Sequence, residues 1–110
     1  LVDARSPGEF DGKVPGREIS RPGHIPGAVS VDWIRNLTVE PRQFKSSPKL
    51  ARIYRKAGAT PDKEIIVYCR TGMRASHDYF VLRLLGYQKV RLYDGSYVEW
   101  SADTTLPVAR

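Results

Sequence analysis

Glu64-Ile-Ile-Val-Tyr-Cys-Arg-Thr-Gly-Met-Arg-Ala-Ser76 changes character halfway along its length. Its first half, Ile65 to Tyr68, is apolar, β-branched and aromatic, and short enough for a buried strand. The run stops at Cys69, the only cysteine of the chain. Arg70-Thr-Gly-Met-Arg74 follows, and then a long segment with helical spacing. A strand, a short loop and a helix, with a reactive side chain at the strand's carboxyl end, is where open α/β folds place their ligands.

A cysteine acts as a nucleophile only as the thiolate. Free thiols ionise at a pKa of roughly 8.5, and helix N-termini and neighbouring cations lower that value. The spacing predicts a helix starting near Arg74 or Ala75, whose free N–H groups point back at the loop. Arg70 and Arg74 bring positive charge to either side, and Gly72 lets successive N–H groups converge into an anion-binding nest. Such a cup holds a thiolate, a persulfide or the oxyanion of a substrate. The alternative is a buried structural cysteine, a small hydrophobe. The arginines, the glycine and the strand-to-helix setting favour the active reading.

Further out, strands and helices alternate. Leu1-Val-Asp-Ala4 reads as a strand. Ser6, Pro7 and Glu9 form a capping box at the start of a short helix anchored by Phe10. Asp11 to Pro26, including Pro15, is a Gly- and Pro-rich loop, and Val29 and Val31 mark a brief strand. Trp33 to Lys45 has no clean period beyond one helical turn. Ser47-Pro48 starts a helix carrying Leu50, Ile53, Tyr54 and Ala57, which Gly58 ends in the left-handed conformation. After the Cys69 loop, Ala75, Tyr79, Phe80, Leu82 and Leu85 build an apolar helix face, with Ser76, His77 and Arg83 opposite. Val90 and Leu92 mark another strand, and Ser96 with Glu99 reads as a capping box for a helix bearing Trp100. Four strand–helix pairs of this kind predict an α/β fold, a mainly parallel sheet with helices on both faces.

A chain of 110 residues makes one domain, residues 1–110, with one core. No apolar stretch approaches the roughly 18 residues of a membrane span. Eighteen Lys and Arg against 12 Asp and Glu give a formal charge of +6, which suits an anionic partner. The basic residues are scattered and no nucleic-acid motif is present, so a small anion is expected and nucleic acid is not. One cysteine makes no internal disulfide, and the expected compartment is a reducing one, the cytoplasm. Cys69, His24 and His77 lack ligand-like spacing, so no metal is implied, nor any cofactor.

Four segments together resemble the rhodanese (thiosulfate sulfurtransferase) family: Leu1-Val-Asp-Ala-Arg5, Gly23-His-Ile-Pro-Gly-Ala28, Cys69-Arg-Thr-Gly-Met-Arg74 and Asp94-Gly-Ser-Tyr-Val-Glu-Trp100. The resemblance implies a mostly parallel five-stranded sheet flanked by helices. It implies Cys69 as the catalytic nucleophile, taking sulfur from a small anionic donor such as thiosulfate and passing it to cyanide or a thiol. Arg70, Thr71, Gly72, Met73 and Arg74 would then bind substrate, and Asp3, Arg5 and His24 would brace the site. Arg70 directly after the cysteine resembles thiosulfate-type enzymes, whereas mercaptopyruvate-type relatives place a small residue there. Glu9 stands where two-domain members carry an arginine, and Thr71 where some carry a lysine. Phosphatases and arsenate reductases on this fold are the rival enzymes, but phosphatases place five residues between Cys and Arg, and here there are four. A sulfur carrier or partner-binding module is the other alternative. The long connection from Trp33 to Gly58 resembles the catalytic C-terminal domain of tandem members, so a second rhodanese domain in the parent protein is expected.

Overall fold

The computed structural model describes residues 1–14, 16–38 and 43–110. Pro15 of the expected loop and residues 39–42 of the expected irregular segment lie outside these.

Four strands form one sheet, β1 (Val2–Asp3), β2 (Val29–Ser30), β3 (Ile65–Tyr68) and β4 (Val90–Leu92), in the order β2-β1-β3-β4 and all parallel. Their connections carry α1 (Pro7–Phe10), a 3-10 turn over Trp33–Asn36, α2 (Ser47–Lys56) and α3 (Met73–Leu84), and α4 (Ser96–Ala102) follows β4. Val2 pairs with both Val29 and Val67, and Val67 also pairs with Leu92.

Period-two alternation along β3 divides the core. Ile65, Val67 and Cys69 face α2 and α3, where they meet Leu50, Tyr54, Ala75, Val81 and Leu82. Tyr68 faces the other way, into a smaller cluster with Ile19, Ile25, Ala28 and Tyr97 of α4. The sheet is therefore covered on both faces, as parallel sheets require.

The fifth strand implied by the resemblance is absent among the described residues. The alternation of the sequence itself offers four strand segments, and these are the four that pair. The other extended contacts, His24 with Ala109 and Leu37 with Phe44, are single antiparallel bridges too short to make a ladder.

Three local expectations are corrected. The second helix begins at Ser47 with Ser46 as its cap residue and no side-chain capping bond. Phe80 is 44% exposed, and Asp78 and Val81 lie inside instead, because α3 presents Ala75, Asp78 and Leu82 to the sheet. Ser96 is no capping-box residue: Gly95 holds the cap position of α4 without a side-chain bond, and Glu99 accepts from the Tyr93 hydroxyl at 2.6 Å. The Ser6–Glu9 capping box of α1 is present with both reciprocal bonds, and Gly58 and Gly86 take left-handed φ values of 91°.

β1 leads outward to β2 on one side, and the chain then crosses to β3 on the other. The switch of direction lies between β1 and β3, so the loops at their carboxyl ends open a crevice at that edge. Arg5 and Cys69 stand at those two ends.

Candidate active site

Cys69 follows the last residue of β3 and is fully buried. Its own backbone is clamped by the start of α4. The Cys69 N–H donates to Ser96 Oγ at 3.1 Å, and the Cys69 carbonyl accepts from Tyr97 N at 2.8 Å. The Arg70 carbonyl accepts from Val98 N at 3.0 Å. Ser96 Oγ in turn donates to the Tyr93 carbonyl at 2.9 Å, so one hydroxyl ties the reactive loop to the end of β4. Ser96 adopts a φ of 56°, uncommon for a residue with a side chain, and that conformation is held by the two bonds of its hydroxyl.

The loop then curls back over the thiol. Gly72 N donates to Cys69 Sγ at 3.0 Å, and α3 starts at the next residue, Met73, one or two positions earlier than its spacing suggested. Gly72 has a φ of 102°, and a Cβ there would lie 3.0 Å from the Asp94 carbonyl oxygen and 3.2 Å from Asp94 Oδ1. Both the turn and the close approach demand glycine. Gly72→Ala is therefore expected to disorder the cup, with a loss of about 1–3 kcal/mol of stability and a more than tenfold slower reaction at Cys69. Thermal unfolding beside the rate of thiol alkylation would check this, and an alanine variant with both unchanged would refute it.

The two arginines differ. Arg74 is held by Glu9 through two parallel bonds, Nη1 to Oε1 at 2.8 Å and Nη2 to Oε2 at 3.0 Å. Glu9 is thus both the capping partner of Ser6 and the counter-ion of Arg74. Burial alone would raise its carboxyl, but the Arg74 bond and charge, together with bonds from Ser6, bring it down to about 2. Arg74 is held above its usual range, chiefly by the Glu9 bond and despite burial. Arg70, by contrast, has no carboxylate partner among the described residues; its Nη1 lies 3.5 Å from the Arg17 carbonyl. Thr71 is exposed and Met73 is 82% exposed, so both side chains line the outside of the cup.

Asp3 and Arg5 lie behind the loop, fully buried. Arg5 Nε and Nη2 donate to the Asp3 carboxylate, the shortest bond at 2.7 Å, and Nη2 also donates to the Gly23 carbonyl at 2.6 Å. The guanidinium lies 4.2 Å over the Tyr97 ring. His24 stacks on Phe10 at 3.7 Å and places Nδ1 2.7 Å from the Phe10 carbonyl. Cys69, Arg70, Gly72 and Arg74 are thus assembled in one place. Asp3, Arg5 and His24 hold the surrounding loops.

Two partners went unread in the sequence: Ser96 as the brace of Cys69, and Glu9 as the clamp on Arg74. A topological signal existed for both. The loops after β1, β3 and β4 share one sheet edge, so a carboxylate after β1 and a hydroxyl after β4 fall beside the cysteine loop.

An open parallel sheet with a cysteine loop running from the carboxyl end of one strand into the following helix defines an α/β domain with its candidate site at that sheet edge. The chain belongs to the rhodanese family: the rhodanese-like domain profile matches residues 1–103. It is 48% identical to a Mycobacterium bovis protein named "Putative thiosulfate sulfurtransferase 1" over 98% of this chain and 41% of that one. It is 43% identical to the sulfur carrier protein TtuD of Thermus thermophilus, over 100% of this chain and 41% of that one. The anaerobic ergothioneine biosynthesis enzyme of Chlorobium limicola, solved with trimethyl histidine, superposes with a TM-score of 0.89 at 31% identity, covering 98% of this chain and 27% of that one. The chain spans about 41% of the length of these curated relatives. Among the described residues no helix is long and apolar enough to cross a membrane.

Proposed function

We propose that the chain is a sulfurtransferase domain in which Cys69 carries sulfur as a persulfide. The observation that carries this reading is the Gly72 N–H at 3.0 Å from the buried Cys69 Sγ, in a loop that continues directly into α3. A thiolate, or the terminal sulfur of a persulfide, accepts that bond and gains from the helix N-terminus. In the first half-reaction the Cys69 thiolate attacks the outer sulfur of thiosulfate or a related donor. A new S–S bond forms, the donor S–S bond breaks, and sulfite departs with its electron pair. In the second, cyanide or an acceptor thiolate attacks the outer sulfur, giving thiocyanate or a new persulfide and restoring the thiolate. Arg70 attracts the anionic donor, and Asp3 and Arg5 keep the loops at their spacing. The chemistry suits a reducing compartment such as the cytoplasm, and a second rhodanese domain in the parent protein would flank the site.

A second reading, a carrier that takes sulfur from a protein and does not turn over thiosulfate, is favoured by the Glu9–Arg74 pair, which occupies one of the two loop cations. The relative named a sulfur carrier protein is compatible with it.

Intact-protein mass before and after thiosulfate tests the proposal. A gain of one sulfur atom, about 32 Da, that cyanide removes and Cys69→Ser abolishes is the expected result. An adduct that persists in Cys69→Ser would overturn it. No adduct with thiosulfate, but one with a protein persulfide, would establish the carrier reading.

A further inference from the structure

We propose that Glu9 selects the sulfur donor: by holding Arg74 it turns the Cys69 loop away from doubly charged thiosulfate and toward an uncharged alkyl persulfide, R–S–SH. This rests on the persulfide chemistry proposed for Cys69.

Thiosulfate shares its two negative charges between the outer sulfur and a sulfonate-like head, and the head stays outside the cup while the outer sulfur enters. Binding that head well requires two cations with free N–H groups. The loop supplies two arginines, but Glu9 takes Arg74 face-on, with one carboxylate oxygen on each terminal nitrogen. The pair is neutral as a unit, and the Glu9 carboxyl is ionised throughout the physiological range. Arg70 is left as the cation without a carboxylate partner among the described residues.

Arg74 also borders a mostly apolar cleft. The cleft, of about 300 Å³, is lined by Trp33, Met73, Arg74, Ser76 and His77. Met73 is 82% exposed within it, and the Trp33 and His77 rings meet edge-on at 5.2 Å. Partial burial lowers the His77 pKa, so the ring adds no second cation at neutral pH. A sulfonate head finds little there, whereas the carbon chain of R–S–SH finds an apolar wall. The Cys69 thiolate attacks the outer sulfur of R–S–SH, the new S–S bond forms, the old one breaks, and R–S⁻ leaves as the outer sulfur keeps its proton.

The test is the rate of sulfur loading on Cys69, followed by mass, against the concentration of two donors: thiosulfate, and 2-hydroxyethyl persulfide generated in situ. Glu9→Gln should lower the half-saturating thiosulfate concentration about tenfold, as one charge-assisted contact is gained, and shift that for the persulfide less than twofold. Glu9→Asp, which keeps the charge, should retain the wild-type preference, and Arg74→Met added to Glu9→Gln should erase the thiosulfate gain. Ser6→Ala weakens the α1 cap but leaves the Arg74 clamp, so it should leave the preference between donors in place. If Glu9→Gln moves both donors by the same factor, or Ser6→Ala reproduces its effect, Glu9 acts only through α1 and the proposal fails. Wild-type protein that takes no sulfur from either donor sinks the persulfide reading itself, a different failure from a loaded Cys69 with an unmoved preference.

Discussion

Arg5→Met is expected to remove about 3–5 kcal/mol of stability, a large part of what a domain of this size has. The guanidinium and the Asp3 carboxylate are both fully buried, and Arg5 makes three side-chain bonds to that carboxylate. Burial disfavours the guanidinium charge, but the Asp3 bonds and charge more than offset this and hold its pKa above the usual value. Methionine fills the volume but leaves the Asp3 carboxylate buried and without its three guanidinium bonds, the Arg5 backbone N–H at 2.9 Å remaining. The Gly23 carbonyl loses its 2.6 Å donor as well, which loosens the turn before His24. Urea unfolding would measure the loss, and adding Asp3→Asn should recover part of it, because the uncompensated charge is then gone. A loss below about 1 kcal/mol, the range of exposed ion pairs, would show that water reaches this pair.

The same ion pair marks the border of what the sequence discloses. Asp3 and Arg5 are two apart on an extended segment, so both could be assigned to one place at a strand end. Strand β3 was legible because its apolar run is short and β-branched, and the Cys69 loop because glycine and arginines sit at the start of a helical period. Glu9 was legible only locally. Its bond to Ser6 spans three residues, whereas its bond to Arg74 spans sixty-five and depends on which loops the sheet order brings together. Ser96 illustrates the same limit. Read along the chain, Ser96 and Glu99 satisfy the capping-box spacing, but the serine hydroxyl is taken by the Cys69 N–H, twenty-seven residues away. Local hydrogen bonding was the weaker competitor there, because a buried N–H at the loop had no other acceptor. The helix face of α3 failed for a related reason. Phe80 reads as part of the apolar face by its type, yet it is exposed and Asp78, one turn after Ala75, takes the inward position.

That buried Asp78 leads to the second large effect. It lies at 0% exposure, with Oδ1 accepting from Asn36 Nδ2 at 2.7 Å and Oδ2 without a hydrogen-bond partner among the described residues. Asn36 Oδ1 accepts from the Tyr54 hydroxyl at 2.9 Å, and its Nδ2 lies 3.2 Å from His77 Nδ1, so the cluster joins α2, the 3-10 turn and α3. Burial pushes the Asp78 carboxyl up to about 8 from its ordinary 3.8; the Asn36 amide and the nearby Tyr54 hydroxyl pull the other way, and the charges of Asp32 and Asp3 add to the rise. The folded chain therefore keeps a proton that the unfolded chain releases. Between pH 4 and 8 the folded state binds more protons, so stability is greatest at the acid side of that window and falls as pH rises, by at most about 1.4 kcal/mol per unit for this group. Above pH 8 both states are ionised and the slope vanishes. Asp78→Asn keeps an acceptor for Asn36 and removes the charge, so at pH 7 it should stabilise the domain by roughly a few kcal/mol and flatten the slope across that window. Unfolding free energies at pH 5, 6, 7 and 8 for the two chains would show it. Parallel curves offset by a constant would mean that Asp78 does not titrate between them, and a destabilised asparagine variant with the wild-type slope would mean that Oδ2 has a donor worth more than its charge costs.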